Sequence, residues 1–152
     1  MDFILKSPSS YQEWKKYFLF RYKMLRKPMG LSRNSARDIQ ERASYHVMAT
    51  NNSSDIIGVG RIHFISSQKS QIRYMAVDQK YRRNGVGKEI LYLLEKHSIK
   101  NSRHEIILNA RENAVIFYSN LGYEKLGEID VGIQIKHFAM RKRIEHYPFK
   151  SE

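Results

Sequence analysis

The sequence predicts one mixed α/β domain over residues 1–152, with a mostly antiparallel twisted sheet of six to seven strands and about four helices around it. Three observations lead to this fold class. The length of 152 residues suits a single domain. Short alternating apolar segments, typical of strands, occur in both halves of the chain, and longer segments with helical spacing lie between them. No repeat, linker or low-complexity tract divides the chain.

The first half begins with a predicted strand at residues 3–6 and a helix that follows it. Ser10 and Glu13 have the spacing of a capping box, which predicts that the helix begins there. Pro28 and Gly30 are helix breakers, so we expect the helix to end before them. A second short helix is predicted over residues 35–42.

Three predicted strands then form an antiparallel meander with polar turns between them. They cover residues 45–50, 56–66 and 70–77. In the last of them, alternation predicts that Ile72, Tyr74 and Ala76 share one face of the sheet.

The second half alternates helices and strands. The segments are a helix over residues 85–98, a strand over 105–110, a helix over 113–121 and two strands between 124 and 142 that are broken near Gly132. Gly122 has the position of a residue that ends a helix in the left-handed conformation.

The composition narrows the classes of function. The net charge is +12, which favours an anionic partner such as nucleic acid, an anionic membrane or a phosphate-rich cofactor, without choosing among them. The chain has no cysteine, so a disulfide framework, a thiolate metal site and a cysteine nucleophile are excluded. No apolar run has the length of a membrane span, and the N-terminus lacks the pattern of a signal peptide, so we expect a cytoplasmic protein that does not act at a membrane.

A glycine-containing turn follows the third strand of the meander. It reads Arg82-Arg83-Asn84-Gly85-Val86-Gly87-Lys88, with a strand before it and a helix after it. The free N–H groups and positive dipole end of a helix, together with cationic side chains, make an anion site. The spacing fits neither a P-loop nor a dinucleotide fingerprint, because Glu89 and Ile90 stand where those motifs need other residues.

Two elements carry a resemblance to a known family. Residues 82–87 match the pattern Arg/Gln-x-x-Gly-x-Gly/Ala, and residues 113–123 resemble Ala-x-x-Phe/Leu-Tyr-x-x-x-Gly-Phe/Tyr. Both are similar to the cofactor elements of the GNAT (Gcn5-related N-acetyltransferase) superfamily, and they occur in the same order. The resemblance implies the GNAT fold, acetyl-CoA as the acyl donor, and direct transfer of the acetyl group to a primary amine.

The resemblance also implies site residues. The cofactor-binding residues it implies are Met75, Ala76, Val77, Arg82, Arg83, Asn84, Gly85, Val86, Gly87, Lys88, Asn113 and Tyr118. A backbone N–H among residues 75–77 corresponds to the oxyanion donor of the family, and Tyr118 to its general acid. The alternative for Tyr118 is a packing aromatic. Many relatives carry Asn where this chain has Arg111, which either reaches a phosphate or faces solvent.

The general base and the acceptor are left open. Many relatives have a Glu on the third strand of the meander, but this strand has no carboxylate. The candidates are Glu41, His46, His63 and His137, with a water chain as the alternative. In the family, the acceptor is bound by the first helix, the loop after it and the closing strands, which suggests Arg21, Arg26 and His137 as substrate-binding residues. Guanidinium groups suit a carboxylate or phosphate on a small-molecule or peptide amine, whereas the alternative is a solvated basic face.

Other functions remain as alternatives. A nucleic-acid-binding module accounts for the charge and the ten tyrosines, but leaves the glycine turn unexplained, so nucleic acid is a disfavoured partner. A catalytically silent protein that binds acyl-CoA is a second alternative. No His-Glu-x-x-His or similar spacing is present, so we expect no metal. The oligomeric state is open, with a homodimer among the alternatives.

Overall fold

The computed structural model describes residues 2–146. Its central element is a seven-stranded β-sheet. The strands are β1 (Ile4–Lys6), β2 (Tyr45–Thr50), β3 (Ile56–Phe64), β4 (Lys69–Val77), β5 (Glu105–Arg111), β6 (Glu124–Ile129) and β7 (His137–Arg143). Their order in the sheet is β1-β2-β3-β4-β5-β7-β6. The pair β4–β5 is parallel and the other five pairs are antiparallel. The predicted fold class is therefore confirmed; the ends of the predicted domain, residue 1 and residues 147–152, lie outside the described residues.

Within residues 2–146, three α-helices flank the sheet. They are α1 (Tyr11–Leu25), α2 (Val86–Lys100) and α3 (Val115–Asn120). The capping box is present, because the Ser10 hydroxyl accepts a hydrogen bond from the Glu13 amide and the Glu13 carboxylate accepts one from the Ser10 amide. After α3, Gly122 has φ +96°, as the sequence predicted for a residue that ends a helix.

The helix predicted over residues 35–42 does not form. A 3₁₀ turn at Arg33–Ala36 and irregular turns take its place. The Asp38 carboxylate accepts a hydrogen bond from the Gln40 amide, and the Glu41 carboxylate accepts one from the Asp38 amide. The Asp38 bond to the Gln40 amide is a turn of the kind that competes with helical hydrogen bonds.

Both faces of the sheet are covered. On one face, α2 packs against β2, β3 and β4 and contributes Ile90 and Leu94 to the main core. On the other face, α1 packs against β3 and β4, and Tyr17 joins Met48 and Val59 in a second cluster. The near-continuous burial of β2 and β3 follows from this arrangement, since strands covered on both sides have no solvent-facing positions.

A β-bulge interrupts β4 beside β3. Val59 pairs with Ala76, but the next pair along is Arg61 with Arg73, so two residues of β4 lie opposite one residue of β3. Tyr74, inside the bulge, has φ +56°. A tyrosine rarely adopts this left-handed conformation, so the surrounding contacts must hold it there.

Because of the bulge, the predicted alternation of this strand is wrong. Ile72 packs into the main core on the α2 face together with Met75 and Val77. Tyr74 instead contacts the guanidinium groups on the α1 face, and Ala76 packs against the second cluster there. One extra residue shifts the two-residue period by one position, so Ile72 lies on the opposite face from Tyr74 and Ala76.

The parallel strands β4 and β5 separate part of the way along. Their pairing covers Lys69–Ile72 and Glu105–Leu108 and goes no further. Beyond Ile72, the edge of β4 that faces β5 has no strand partner among residues 2–146. This separation opens a cleft in the middle of the sheet, with unpaired backbone groups along one wall.

Candidate active site

A cavity of about 140 Å³ lies where β4 and β5 separate. It is bounded by these two strands, the C-terminal end of α1, the beginning of β7 and Tyr118 of α3. Three arginines (Arg26, Arg73 and Arg111), His137 and Tyr118 line it, and no aspartate or glutamate does so among the described residues. The cavity is therefore strongly cationic.

Tyr118 extends from α3 to this cavity. Its ring packs edge-on against Phe117 and Tyr123, with ring centres 5.0 and 5.7 Å away. Its hydroxyl has no hydrogen-bond partner within residues 2–146. Burial raises the pKa of Tyr118 far above its ordinary value, so the hydroxyl keeps its proton at neutral pH.

His137 begins β7, and one of its ring nitrogens, Nε2, has no hydrogen-bond partner within residues 2–146. Its Nδ1 lies 2.7 Å from the carbonyl oxygen of Ile135. Because a carbonyl oxygen only accepts hydrogen bonds, Nδ1 carries the proton and Nε2 of the neutral ring carries a lone pair. Burial, and then the charges of Arg111 and Arg26, lower the pKa of His137 despite the opposite effect of the bond to Ile135. The ring is therefore neutral at pH 7 and able to accept a proton.

Two of the other candidate bases already use their polar atoms in hydrogen bonds within the protein. Both oxygens of Glu41 accept hydrogen bonds from Arg21, and one also accepts from Arg61. The Nε2 of His46 donates to the Glu41 carbonyl, and its Nδ1 lies 2.8 Å from the hydroxyl of Tyr17. Neither side chain lines the cavity, so neither is placed to accept a proton from a substrate there.

His63 is also unsuited to act as the base. Its Nδ1 lies 3.1 Å from the Arg61 guanidinium, which can only donate, so Nε2 carries the proton. His63 lines a neighbouring open depression rather than the cavity. Of the four candidates from the sequence, His137 alone combines a place at the cavity with a free lone pair.

Arg21 occupies a position different from the predicted one. It is completely buried and pairs with Glu41 at 3.0 Å, with its guanidinium 4.4 Å from the centre of the Tyr74 ring. The expectation that Arg21 binds the acceptor fails for this reason, because no part of its side chain reaches solvent or the cavity. It holds α1 to the sheet instead.

Arg73 lines the cavity but already has a carboxylate partner, which it shares with Arg61. Its guanidinium lies 2.8 Å from Asp38, which also receives two hydrogen bonds from the buried Arg61. Burial alone would raise the pKa of Asp38, but the bonds from Arg61 and the Gln40 amide, with the charges of Arg61 and Arg73, lower it to about 2. Asp38 is therefore ionised and offsets part of the charge of Arg61 and Arg73.

Arg26 and Arg111 lie together at the C-terminus of α1. Both donate to the carbonyl oxygen of Leu25, at 3.0 and 2.6 Å. Arg26 also donates to the carbonyl of Ser35 at 3.1 Å. No carboxylate within residues 2–146 forms an ion pair with either guanidinium. Sequence reasoning suggested Arg26 as a substrate-binding residue and noticed Arg111 only as a departure from the family pattern.

The predicted anion turn has the geometry that such a site needs. Gly85 caps α2 with φ +82°, and Arg83 before it has φ +69°. The amides of Val86, Gly87 and Lys88 in the first turn have no hydrogen-bond partner within residues 2–146. The side chain of Val86 is buried, so this residue offers only its backbone.

The exposed side chains around the free amides of residues 86–88 belong to Arg82, Arg83, Asn84 and Lys88. Free amides beside three cations fit a polyphosphate, since both helix dipole and charge favour an anion there.

The remaining predicted residues lie along the cleft. Met75 lines the cavity, while Ala76 and Val77 continue the unpaired edge of β4. Asn113 is exposed on the 3₁₀ turn Glu112–Ala114 and is not among the residues lining the cavity. The roles of these four residues toward a cofactor stay predictions.

A family model described as an acetyltransferase (GNAT) domain matches residues 20–144. The chain belongs to the GNAT acetyltransferase family. This GNAT protein is therefore an acyltransferase, and the acyl-CoA binding that the glycine turn predicts agrees with its family.

Several solved structures have the same fold as this GNAT protein. An acetyltransferase of the GNAT family from Staphylococcus aureus Mu50 has 17% identity and a TM-score of 0.75, over 95% of this chain and 100% of that one. An aminoglycoside 6′-N-acetyltransferase complexed with coenzyme A has 15% identity and a TM-score of 0.77, over 98% and 100%. The ribosomal-protein-S18-alanine N-acetyltransferase from Escherichia coli has 15% identity and a TM-score of 0.74, over 99% of each chain. At these identities the likeness shows the fold.

Within residues 2–146, no three His, Cys, Asp or Glu side chains come together as metal ligands would. Over the same residues, no helix combines the length and apolar character needed to cross a membrane.

Proposed function

We propose that this GNAT protein transfers an acetyl group from acetyl-CoA to a primary amine of a small molecule or peptide, by direct attack within a ternary complex. The observation that carries the proposal is that one cavity is lined by a group able to accept a proton and a group able to donate one. The free Nε2 of His137 and the unpartnered hydroxyl of Tyr118 both belong to its lining.

The residues of the cleft suit the donor. The amides of residues 86–88 and the cations around them would bind the diphosphate, and the unpaired edge of β4 would bind the extended arm. When bound, acetyl-CoA supplies an acyl thioester. Gly85 is suited to the turn because its left-handed φ is unfavourable for other residues and because no atom lies within 4 Å of the position its Cβ would take.

The cavity supplies the proton transfers. An amine like that of lysine has a pKa of about 10.4, so it must lose a proton before it can attack. His137 Nε2 accepts that proton, because the ring is neutral and its other nitrogen is held by Ile135. Tyr118 holds the proton that the departing sulfur requires, since burial keeps its hydroxyl protonated. A backbone N–H among residues 75–77 stabilises the developing oxyanion.

Calorimetry and a thiol assay test the proposal. Coenzyme A is titrated into the intact protein, and acetyl-CoA is then mixed with amino acids, amino sugars, aminoglycosides and peptides with free N-termini. Binding heat together with amine-dependent thiol release supports the proposal. Binding heat without thiol release for any amine would favour the silent acyl-CoA-binding alternative, and the absence of heat would contradict both.

A further inference from the structure

We propose that Arg26 and Arg111 form an anion subsite that binds a carboxylate or phosphate group of the acceptor. The inference rests on the proposed function, because it specifies which amines enter the cavity. It starts from one contact: two guanidinium groups donate to the same carbonyl oxygen, that of Leu25, at 3.0 and 2.6 Å.

The charges around this contact are unbalanced. Arg26 is 9% exposed and Arg111 is partly buried, yet neither forms an ion pair within residues 2–146. The other arginines next to the cavity are all paired, Arg21 with Glu41 and both Arg61 and Arg73 with Asp38. Burying a charge without a partner is costly, so two neighbouring unpaired cations indicate that a ligand supplies the missing anion.

The end of α1 explains how the pair persists without a ligand. Leu25 is the last residue of α1, so its carbonyl lacks an intrahelical partner and lies at the negative end of the helix dipole. That end is equivalent to about half of an elementary charge, which balances only part of two full cations. Burial, followed by the charge of Arg26, lowers the pKa of Arg111, so the residual repulsion acts on this side chain.

Arg111 keeps most of its donors free. Its only hydrogen bond within residues 2–146 is the one to Leu25, and a guanidinium has five N–H donors. The nearest carboxylate in the sequence, Glu112, is exposed and lies 3.8 Å from Lys136. The free donors are therefore available for a planar carboxylate or a phosphate, which guanidinium groups bind well.

The subsite lies beside the proposed base. Arg111 is the direct cross-strand partner of His137 in the β5–β7 pair, and Arg26 lines the same cavity. An anionic group bound between the two arginines would hold the rest of the acceptor near Nε2 of His137. The diphosphate of the donor has its own cations at residues 82–88, so this pair remains for the acceptor.

Histidine NMR tests the subsite independently of turnover. His137 is titrated in the CoA-saturated protein with sodium acetate, inorganic phosphate or chloride, at a constant ionic strength of about 0.15 M. Acetate or phosphate bound at Arg26 and Arg111 should raise the pKa of His137 above its value in chloride, because the anion offsets two nearby cations. The two anions distinguish a carboxylate subsite from a phosphate subsite.

Matched variants separate this role from a structural one. Arg111→Gln should abolish the rise in pKa and weaken anion binding about tenfold or more, because a charged hydrogen bond is lost. Arg111→Lys should retain part of the response. Lys100→Gln, which removes an exposed cation at the end of α2, should leave the response unchanged.

Two results would overturn the inference. One is a His137 pKa that neither anion changes in the unmodified protein. The other is an Arg111→Gln variant that loses affinity for CoA, which would assign Arg111 to the donor. If CoA gives no binding heat, the proposed function fails, while the titration of the free protein, compared with Arg111→Gln, still decides whether the subsite exists.

Discussion

Arg111 and His137 lie directly opposite each other at the ends of β5 and β7. The cross-strand pair brings a cation next to an imidazole whose Nδ1 is held by the Ile135 carbonyl. A positive neighbour disfavours protonation of the ring, so the imidazole stays neutral at physiological pH. The same arrangement therefore serves both the proposed base and the proposed anion subsite, and it leads to the first prediction.

His137→Gln should lower kcat about a hundredfold or more, because general base catalysis contributes on that scale. In the unmodified enzyme, kcat should fall as the pH drops through the lowered pKa of His137, because protonation removes the lone pair of Nε2. The acid limb should be absent in the variant. Steady-state kinetics across pH measures both effects. His63→Gln is the matched control, and an equal loss of activity in that variant would contradict the assignment.

Tyr118→Phe should lower kcat while the affinity for CoA and the thermal stability stay close to normal. The hydroxyl has no partner within residues 2–146, so its removal breaks no hydrogen bond. Tyr123→Phe is the opposite case, because the Tyr123 hydroxyl donates to Glu95 at 2.8 Å in a buried environment. That control should lose about 1 kcal/mol of stability and keep its kcat. Unchanged turnover in Tyr118→Phe would remove this residue from the mechanism.

Gly85→Val should weaken CoA binding and destabilise the turn by about 1–2 kcal/mol, because a β-branched residue is strained at φ +82°. Gly30→Val provides a control with a similar strain, since Gly30 has φ +69° and also has open space around its Cβ position. Calorimetry with CoA and thermal unfolding separate the effects. Both variants should lose stability, and only Gly85→Val should lose CoA affinity; equal CoA binding in the two would count against the turn as the diphosphate site.

The free energy of unfolding should decrease as the pH falls from 6.5 toward 4. Burial, the largest cause, lowers the pKa of His46 from 6.5 to about 4. Below pH 6.5 the unfolded state therefore binds a proton that the folded state does not, and stability falls by up to about 3 kcal/mol. Urea unfolding at several pH values measures this slope. His46→Asn, which cannot titrate, should show a shallower slope over the same range, and an unchanged slope would exclude His46 as a cause.

Arg21→Met should cost about 3 kcal/mol or more of stability. The substitution removes two charged hydrogen bonds from Glu41, which keeps Arg61 at 2.9 Å. It also takes the guanidinium donor away from the buried Ala36 carbonyl and Tyr17 hydroxyl, and each lost bond to a charged group costs about 1.5–3 kcal/mol. Arg111→Gln should cost far less, because Arg111 has no carboxylate partner within residues 2–146. Thermal unfolding of both variants compares them. Similar losses would contradict the view that Arg21 is structural and Arg111 is free for a ligand.

Local signals in the sequence were sufficient for much of the fold. Ser10 and Glu13 predicted the beginning of α1, and Gly122 predicted the end of α3, because each depends on backbone groups a few residues away. The predicted alternation of β4 failed at Tyr74, since the bulge depends on pairing with a distant strand and on guanidinium groups that arrive from other elements. The missing helix at 35–42 has a similar cause, because Arg21 and Arg61 bind Glu41 and Asp38 across the fold.

The sequence by itself determined the fold class through short patterns of periodicity and capping, and two motifs, at residues 82–87 and 113–123, carried the resemblance to the family. The glycine spacing around Gly85 also predicted an anion site there. The tertiary structure alone decided which ionisable groups meet in the cavity. Glu41 and His137 were both candidate bases along the chain, but Glu41 lies in a buried ion-pair cluster and Nε2 of His137 has no partner within residues 2–146. Arg21 is paired with Glu41, whereas Arg111 has no carboxylate partner within residues 2–146, for the same reason: the charge available to a ligand depends on partners that are far away in the sequence and adjacent only in the fold.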